Sequence, residues 1–222
     1  MKKINVAIDG PAGAGKSSIS KEVAKKLGFI YVDTGAMYRA IGFKFMDKSI
    51  DECDPDFINA LTGTTVDIKY IDSVQRIFLD GDDVSDLIRT QKISQLASDV
   101  SKIPMVREKL LSLQRELAKN NNCIMDGRDI GTTILPNADV KIFLTASCEE
   151  RAKRRCKDLE KSGQNADFDT VLNEIILRDK NDSERKISPL KQAHDAVLVD
   201  TSDIDYNESV EKIYKIIVDK IK

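Results

Sequence analysis

Four residues near the start of the chain have the types and the spacing of a phosphate-binding loop. Gly10, Gly15, Lys16 and Ser17 fit the pattern G-x-x-x-x-G-K-[ST]. Glycines allow backbone N–H groups to approach a phosphate closely, and a helix that begins here directs the positive end of its dipole at the same anion. The lysine can then bridge two phosphates, and the serine hydroxyl can ligate Mg²⁺. The predicted phosphate-binding residues are Gly10, Pro11, Ala12, Gly13, Ala14, Gly15, Lys16, Ser17 and Ser18.

The sequence on both sides of this loop supports the prediction. The apolar run from Ile4 to Ile8 precedes it, and Ile19, Val23 and Leu27 follow it with helical spacing. A glycine-rich turn between a strand and a helix that binds no ligand is the alternative. The loop alone does not separate a kinase from a GTPase, a motor or a nucleotide-gated switch.

The composition predicts one globular unit. The chain has 222 residues, of which 41% are hydrophobic and 32% charged, enough for one core and too few for two full-sized domains with linkers. A net charge of −2 argues against a nucleic-acid partner, which usually requires a basic excess. We expect no membrane partner and a cytoplasmic location, because the sequence shows neither an export signal nor a long apolar span.

The cysteines and the single histidine do not suggest a metal site. The four cysteines, Cys53, Cys123, Cys148 and Cys156, show no C-x-x-C spacing, and His194 has no second histidine to share a zinc ion with. We therefore expect packing or surface thiols in a reducing compartment.

Five short apolar runs, separated by long helical patterns, predict an α/β fold with a five-stranded parallel sheet that helices cover on both faces as three layers. The runs are Ile4 to Ile8, Phe29 to Val32, Cys123 to Met125, Val140 to Leu144, and Ala196 to Val199. Ligands of such sheets bind beyond the carboxyl ends of the strands. Asp33, Asp126 and Asp129 follow strands and are therefore expected near the phosphate loop.

The segment between the second and third runs is too long for a single crossover helix. Alternating apolar residues from Val66 to Tyr70 and at Ile77 and Leu79 predict a small antiparallel element. Two helical patterns follow, the second after Pro104. We interpret this segment as an inserted lobe.

Six segments, taken together, closely resemble the bacterial cytidylate kinases, which phosphorylate CMP and dCMP with ATP. They are GPAGAGKS, DTGAMYR (Asp33 to Arg39), IRTQ (Ile88 to Gln91), PMVRE (Pro104 to Glu108), DGRDIGT (Asp126 to Thr132) and RDKNDSER (Arg178 to Arg185). The resemblance covers nearly the whole chain in order. Thr34 stands where other members can carry Ser, a change that keeps the hydroxyl.

This resemblance implies a single P-loop NTPase-type kinase domain over residues 1–222. It implies a small lobe for the nucleoside monophosphate at about 62–104 and a short helical lid at about 149–187. The substrates would be ATP and CMP or dCMP, and the cofactor Mg²⁺. We expect the protein to be a monomer.

Arginines, rather than a nucleophilic triad, are the notable polar residues, as phosphoryl transfer requires neutralisation of charge on the transferred group. By resemblance, Arg39, Arg128 and Arg185 clamp the acceptor phosphate, which a planar guanidinium matches with two bonds. For any one of them, a surface ion pair is the alternative.

Two further arginine groups follow. Arg178, Asp182 and Arg185 are spaced i, i+4, i+7, so they share one face if the segment is helical. The resemblance assigns Arg178 and Asp182 to the acceptor sugar, whereas a solvated ladder of ion pairs would give the same spacing. Upstream, Arg151, Arg154 and Arg155 resemble lid arginines that close over the transferred phosphate, although Glu150 and Arg154 also form an ordinary i, i+4 pair. The predicted catalytic residues are Lys16, Arg128, Arg151 and Arg155.

A carboxylate with an arginine suits cytosine, because cytosine offers an amino donor and a ring-nitrogen acceptor where uracil offers the reverse. The resemblance places Asp129, Arg107 and Ser98 at the base, and the remaining CMP-site residues are Thr34, Tyr38 and Gly127. Asp129 could instead serve the metal. Asp126 is predicted to hold Mg²⁺ through water beside the direct ligand Ser17, and a structural cap is the alternative for Asp126.

A phosphotransferase from ATP to CMP is thus the leading prediction. A kinase for another monophosphate or for a small acid such as shikimate is the second. A nucleotide-gated binding module is the alternative from a different class, and it would hydrolyse ATP slowly without an acceptor.

Overall fold

The computed structural model describes residues 2–48, 50–161, 163 and 165–222. Eight strands lie in this part of the chain: β1 (Asn5–Asp9), β2 (Ile30–Asp33), β3 (Val66–Ile71), β4 (Val74–Leu79), β5 (Asp82–Asp83), β6 (Cys123–Gly127), β7 (Val140–Thr145) and β8 (Val197–Asp200). The α-helices described are α1 (Lys16–Leu27), α2 (Thr34–Lys44), α3 (Pro55–Gly63), α4 (Gln91–Val100), α5 (Pro104–Asn120), α6 (Cys148–Lys161), α7 (Phe168–Glu184) and α8 (Tyr206–Ile221). The chain divides into two compact units. The first is formed by Met1–Tyr31 with Asn122–Lys222, and the second by Val32–Asn121.

A five-stranded sheet with the order β2-β6-β1-β7-β8 forms the centre of the first unit. β1 pairs in parallel with β6 on one side and with β7 on the other, and β7 pairs in parallel with β8. β1, β6 and β7 are almost continuously apolar and buried, as strands covered on both faces must be. The α/β fold with a five-stranded parallel sheet is confirmed, and each predicted run overlaps one of its strands.

The core of the first unit is formed by the sheet with α1 and α8. Val6, Ile8 and Ile142 of the strands pack with Val23 of α1 and Ile213 of α8, all at most 1% exposed. Helical spacing on α1 places its apolar side chains on one face toward this core. Burial of each such side chain contributes about 1.5–3 kcal/mol. The phosphate loop is therefore attached at both ends to rigid structure.

The lid region consists of α6 and α7, which pack on each other through a small apolar cluster. Ala152 and Cys156 of α6 meet Val171 and Ile175 of α7 there. Asp167 begins α7 by accepting from the N–H of Thr170. Two residues inside the predicted lid range, Ser162 and Gln164, lie outside the described residues, as does Met1 at the start of the predicted domain.

The described part of the second unit combines four α-helices with a small sheet of order β3-β4-β5. β3 and β4 pair antiparallel from Val66 opposite Leu79 to Ile71 opposite Val74, which confirms the predicted antiparallel element. Ile77 of β4 packs with Ile93 of α4 and Ala40 of α2 in the core of this unit. The unit is longer than the predicted lobe of about 62–104, and the limits of that lobe stay a prediction.

No helix in the described ranges combines the length and the apolar character needed to cross a membrane.

Candidate active site

The loop between β1 and α1 has the backbone geometry of a tight anion-binding turn. Gly10, Gly13 and Gly15 have φ values of 151°, 77° and 85°, which L side chains rarely adopt. A Cβ at Gly10 would lie 1.9 Å from the carbonyl oxygen of Leu144, so this position has no room for a side chain. Since α1 begins at Lys16, its free N–H groups and its positive dipole end face the loop.

Lys16 is buried, with 6% of its surface exposed. Its Nζ donates to the carbonyl oxygen of Pro11 at 2.6 Å, across the phosphate loop. Burial lowers the pKa of this lysine well below its usual value, and the positive charge of Arg128 lowers it further, against the opposing effect of Asp126. A phosphate chain bound in the loop would compensate this buried positive charge.

Ser17 and Asp126 meet beside the loop. The Ser17 hydroxyl donates to Oδ2 of Asp126 at 2.7 Å, and the Tyr31 hydroxyl donates to Oδ1 at 3.1 Å. A hydroxyl and a carboxylate are the oxygen donors that Mg²⁺ prefers, so these residues fit the ion. The described residues include no cluster of three or more His, Cys, Asp or Glu side chains able to hold a metal.

Two arginine–aspartate pairs lie after β6 and at the end of α7. Arg128 Nε donates to Asp182 Oδ2 at 2.7 Å, and Arg185 Nη2 donates to Asp129 Oδ1 at 3.2 Å. Burial raises the pKa of Asp182, but Arg128, with Arg178 and Arg185, outweighs burial and holds it below the usual range. The structure thus brings these five predicted acceptor-site residues together within the first unit. Gly127, the last residue of β6, directly precedes Arg128.

The predicted shared helix face is only partly observed. Arg178 and Asp182 lie on α7, whereas the helix ends at Glu184 and Arg185 adopts an extended backbone with ψ 139°. Arg185 then donates from Nε to the carbonyl oxygen of Ser188 at 2.5 Å. Its side chain is still only 5% exposed, because it turns inward to Asp129.

Asp9 is a buried site residue that the sequence did not reveal as functional. Its two carboxylate oxygens accept from the backbone N–H groups of Ile130 and Gly131 at 2.7 and 2.8 Å. Burial raises the pKa of Asp9 to about 6, and the negative charge of Asp129 acts in the same direction. The available signal was an ionisable residue at the buried end of a strand, directly before Gly10.

In the second unit, Asp33 holds two arginines at the start of α2. Its Oδ2 accepts from Arg39 Nη2 at 2.9 Å and from Arg89 Nη1 at 3.0 Å, while Oδ1 caps the helix by accepting from the N–H of Ala36. Burial raises the pKa of Asp33, but the two arginines and the cap outweigh it and lower the value. Arg39 is thereby oriented, and Thr34, the first residue of α2, is buried. Arg89 was not predicted as a site residue.

Arg107 and Tyr38 also lie together in the second unit. The guanidinium of Arg107 lies over the Tyr38 ring, 5.8 Å from the ring centroid, and donates to the carbonyl oxygen of Ser101 at 3.3 Å. Ser98 is buried on α4, one turn before Ser101. Asp129 belongs to the first unit, so its contact with the same base as Arg107 stays a prediction.

The predicted lid arginines on α6 differ sharply in their surroundings. Arg151 uses all five of its N–H donors within the protein: on the carbonyl oxygens of Ala146 and Ala12, on the sulfur of Cys148, and on both carboxylate oxygens of Asp179. Arg155, one turn later, is exposed.

Arg154 is half-buried and donates to the carbonyl oxygen and the hydroxyl of Thr201 and to Glu150. The expected Glu150–Arg154 pair is therefore present on α6. The catalytic roles of Arg151 and Arg155 stay predictions.

Comparison with known proteins identifies the family. The family model described as cytidylate kinase matches residues 6–219. A cytidylate kinase from Caldicellulosiruptor bescii is 50% identical over 223 residues, covering 100% of this chain and 99% of that protein. One from Caldicellulosiruptor saccharolyticus is 50% identical over 226 residues, covering 100% of each.

Solved structures agree on the fold. Shikimate kinase from Bacteroides thetaiotaomicron superimposes with a TM-score of 0.50 at 13% identity, covering 98% of each chain, which supports the architecture alone. The family model and the two relatives, by contrast, match at the level of sequence over almost the full length. The chain therefore belongs to the cytidylate kinase family.

Proposed function

We propose that the protein transfers the γ-phosphoryl group of ATP directly to CMP and to dCMP, giving CDP and dCDP. The observation that carries the proposal is the first unit's combination of a phosphate loop around buried Lys16 with the Arg128–Asp182 and Arg185–Asp129 pairs. Family membership supports the same reaction.

The phosphates of ATP would bind at the amino end of α1. Backbone N–H groups of the loop and the helix dipole favour the anion, and the Lys16 ammonium would leave the Pro11 carbonyl to bridge two phosphates. No covalent attack by the protein is required, because the acceptor phosphate oxygen is itself the nucleophile. The chain's task is to position both nucleotides and to neutralise charge.

Ser17 and Asp126 would hold Mg²⁺, the serine directly and the aspartate through water. The ion would neutralise charge on the phosphates when it is bound. The hydrogen bond between Ser17 and Asp126 supports this assignment because it already places both oxygen donors beside the loop. Tyr31 fixes the orientation of the Asp126 carboxylate by donating to its second oxygen.

For the acceptor nucleotide, we propose that Arg39, Arg128 and Arg185 bind the phosphate of CMP. Each is oriented in the structure by a carboxylate, from Asp33, Asp182 and Asp129 respectively. Guanidinium groups oriented in this way lose less side-chain entropy on binding a phosphate.

The sugar and the base would be bound by other members of the same groups. Arg178 and Asp182 would contact the sugar hydroxyls. The cytosine would be read by Asp129, Arg107 and Ser98, and the remaining proposed CMP contacts are Thr34, Tyr38 and Gly127. If Asp129 served the metal instead, the base would lose its carboxylate partner.

The proposed lobe at about 62–104 and the lid at about 149–187 would close over the substrates and exclude water. Arg155 is exposed and ready to reach a phosphate, whereas Arg151 would have to exchange one of its protein partners to do so. We also propose a monomer that acts in the cytoplasm, with no nucleic-acid or membrane partner.

A coupled assay of ADP release from ATP, with and without CMP, tests the proposed reaction. We expect ADP release to depend on CMP and to be matched by CDP formation, with dCMP replacing CMP. ADP release that is equal in both reactions would indicate an ATPase without an acceptor and would overturn the proposal.

The base assignment has its own test, kcat/KM for CMP and UMP in Asp129→Ala and Arg107→Ala at saturating ATP. Loss of one charge-assisted hydrogen bond to the cytosine amino group costs about 1.5–3 kcal/mol, about 10- to 100-fold in kcat/KM for CMP. UMP lacks that amino group, so Asp129→Ala should lower the CMP/UMP ratio. Equal losses for both substrates with a raised Mg²⁺ requirement would assign Asp129 to the metal.

A further inference from the structure

The carboxylate of Asp9 makes an unusual contact for a residue at the end of a central strand. It is 3% exposed, and each of its oxygens accepts one backbone N–H, from Ile130 at 2.7 Å and from Gly131 at 2.8 Å. These residues begin a π-helical turn, Ile130–Ile134. Both carboxylate oxygens of Asp9 thus hold the first two residues of that turn.

The two sides of this contact lie next to the proposed binding sites of two different substrates. Asp9 directly precedes Gly10, the first residue of the phosphate loop, while Ile130 directly follows Arg128 and Asp129, the proposed acceptor-site residues. All of these residues lie in the first unit. One carboxylate therefore connects the strand that carries the ATP loop with the backbone that carries the acceptor residues.

Gly131 is held closely from two directions. A Cβ at this position would lie 3.3 Å from Oδ2 of Asp9 and 3.1 Å from Cδ of Lys141. The Lys141 stem is itself fixed, since its Nζ donates to Asp195 at 2.9 Å. The turn is therefore confined between Asp9 and the Lys141 stem.

The chemistry of the contact requires a carboxylate. An asparagine has only one acceptor oxygen, so its NH₂ group would face one of the two backbone N–H donors. A buried carboxylate is costly in an apolar core, and burial raises the pKa of Asp9 to about 6. A packing role alone would be served better by an apolar side chain.

We propose that Asp9 is a positioning residue for the acceptor nucleotide, which holds the backbone after Asp129 so that Arg128 and Asp129 face CMP. The inference rests on the proposed function, because it names CMP as the acceptor. It assigns Asp9 no contact with either substrate. Its loss should therefore affect CMP binding more than ATP binding.

The test compares Asp9→Asn and Gly131→Ala with the matched control Asp139→Asn. Asp139 also accepts a backbone N–H through its carboxylate, from Asn5 at 2.9 Å, but at the opposite end of β1. The measurement is KM and kcat for CMP, UMP and ATP. For Asp9→Asn we expect KM for CMP to rise about tenfold, as for one lost hydrogen bond, KM for ATP to stay within about twofold, and the CMP/UMP ratio of kcat/KM to fall. The control should change none of these.

Gly131→Ala leaves Asp9 in place but crowds its carboxylate. It should therefore also raise KM for CMP, leave KM for ATP nearly unchanged and lower the CMP/UMP ratio. If Asp9→Asn does not fold, Gly131→Ala alone tests the proposal. Unchanged KM for CMP in a folded variant would overturn the proposal, as would equal rises of KM for CMP and ATP. The wild type serves as the reference for the reaction itself. If it forms no CDP, the proposed function fails, whereas normal wild-type transfer with an unaffected Asp9→Asn refutes only the role of Asp9.

Discussion

Replacement of Arg151 and of Arg155 by alanine should separate a structural arginine from one that is free to act on phosphate. Both lie on α6, four residues apart, so the two substitutions remove the same side chain from adjacent turns of one helix. Arg151 is 4% exposed at its side chain and donates twice to Asp179, whose own side chain is 24% exposed. The exposed Arg155 has no such burial.

The expected changes in stability and in kcat follow from this difference in burial between Arg151 and Arg155. Removal of one partner from a buried ion pair costs about 3–5 kcal/mol, and the partial exposure of Asp179 to water favours the lower end, about 3 kcal/mol, for Arg151→Ala. An exposed substitution usually changes stability by less than about 0.5 kcal/mol, which is the expectation for Arg155→Ala. Loss of a group that stabilises transition-state charge lowers kcat by about 10²- to 10³-fold, the expectation for Arg155→Ala if it acts on the phosphate.

Urea unfolding followed by circular dichroism gives the stability of each variant, and a coupled assay with saturating ATP and CMP gives kcat. An unfolding free energy of Arg151→Ala within about 1 kcal/mol of the wild type would contradict the structural role of Arg151. A full kcat in Arg155→Ala would contradict the role of Arg155 in transfer.

Three other outcomes are expected. Lys16→Ala should lower kcat by about 10²-fold or more, because its charge stabilises the transferred group, and turnover near the wild-type rate would contradict the phosphate-loop assignment. Gly10→Ala should fail to fold, since its Cβ would lie 1.9 Å from the Leu144 carbonyl oxygen, whereas Gly28→Ala, with φ 67° and no atom within 4 Å, should cost only about 1–2 kcal/mol in urea unfolding. The pKa of Asp9 is raised from 3.8 to about 6, so native Asp9 keeps its proton where the unfolded chain has lost it. The unfolding free energy of the wild type relative to Asp9→Asn should therefore fall, by up to about 3 kcal/mol, as pH rises from 3.8 to about 6. A difference that does not change with pH would contradict the raised pKa.

The elements of the fold could be predicted from the sequence because their signals are local. Apolar runs such as Val140 to Leu144 are short, continuous and bounded by turns, so each indicates a buried strand. The helix after the phosphate loop shows its buried face in the spacing of Ile19 and Val23. Such patterns need no knowledge of the rest of the chain.

The partners within the site could not be predicted, because they join residues far apart in the sequence. Asp9 meets Ile130 and Gly131 only because β1 and β6 are neighbours in the sheet. The burial of Arg151 likewise depends on the packing of α6 against α7, which brings Asp179 to it. The sequence therefore identified some members of these groups, such as Arg151, without the carboxylates that hold them.

The early end of α7 explains another difference between the sequence prediction and the structure. The i, i+4, i+7 spacing placed Arg178, Asp182 and Arg185 on one helix face, but α7 ends at Glu184. Arg185 can turn inward to Asp129 because its backbone is extended, with a bond to the Ser188 carbonyl oxygen. Helix ends fray, their assigned limits differ by one or two residues, and residue spacing alone does not fix them.

The most direct test of the account is a competition among acceptors. The wild-type protein is given limiting ATP and Mg²⁺ with equal concentrations of CMP, UMP and AMP, and the nucleoside diphosphates are separated by anion-exchange chromatography. ADP formed from AMP is distinguished from ADP left by ATP by the use of AMP labelled in its base. We expect CDP as the main acceptor product. Labelled ADP or UDP as the main product, or consumption of ATP without any acceptor diphosphate, would contradict it.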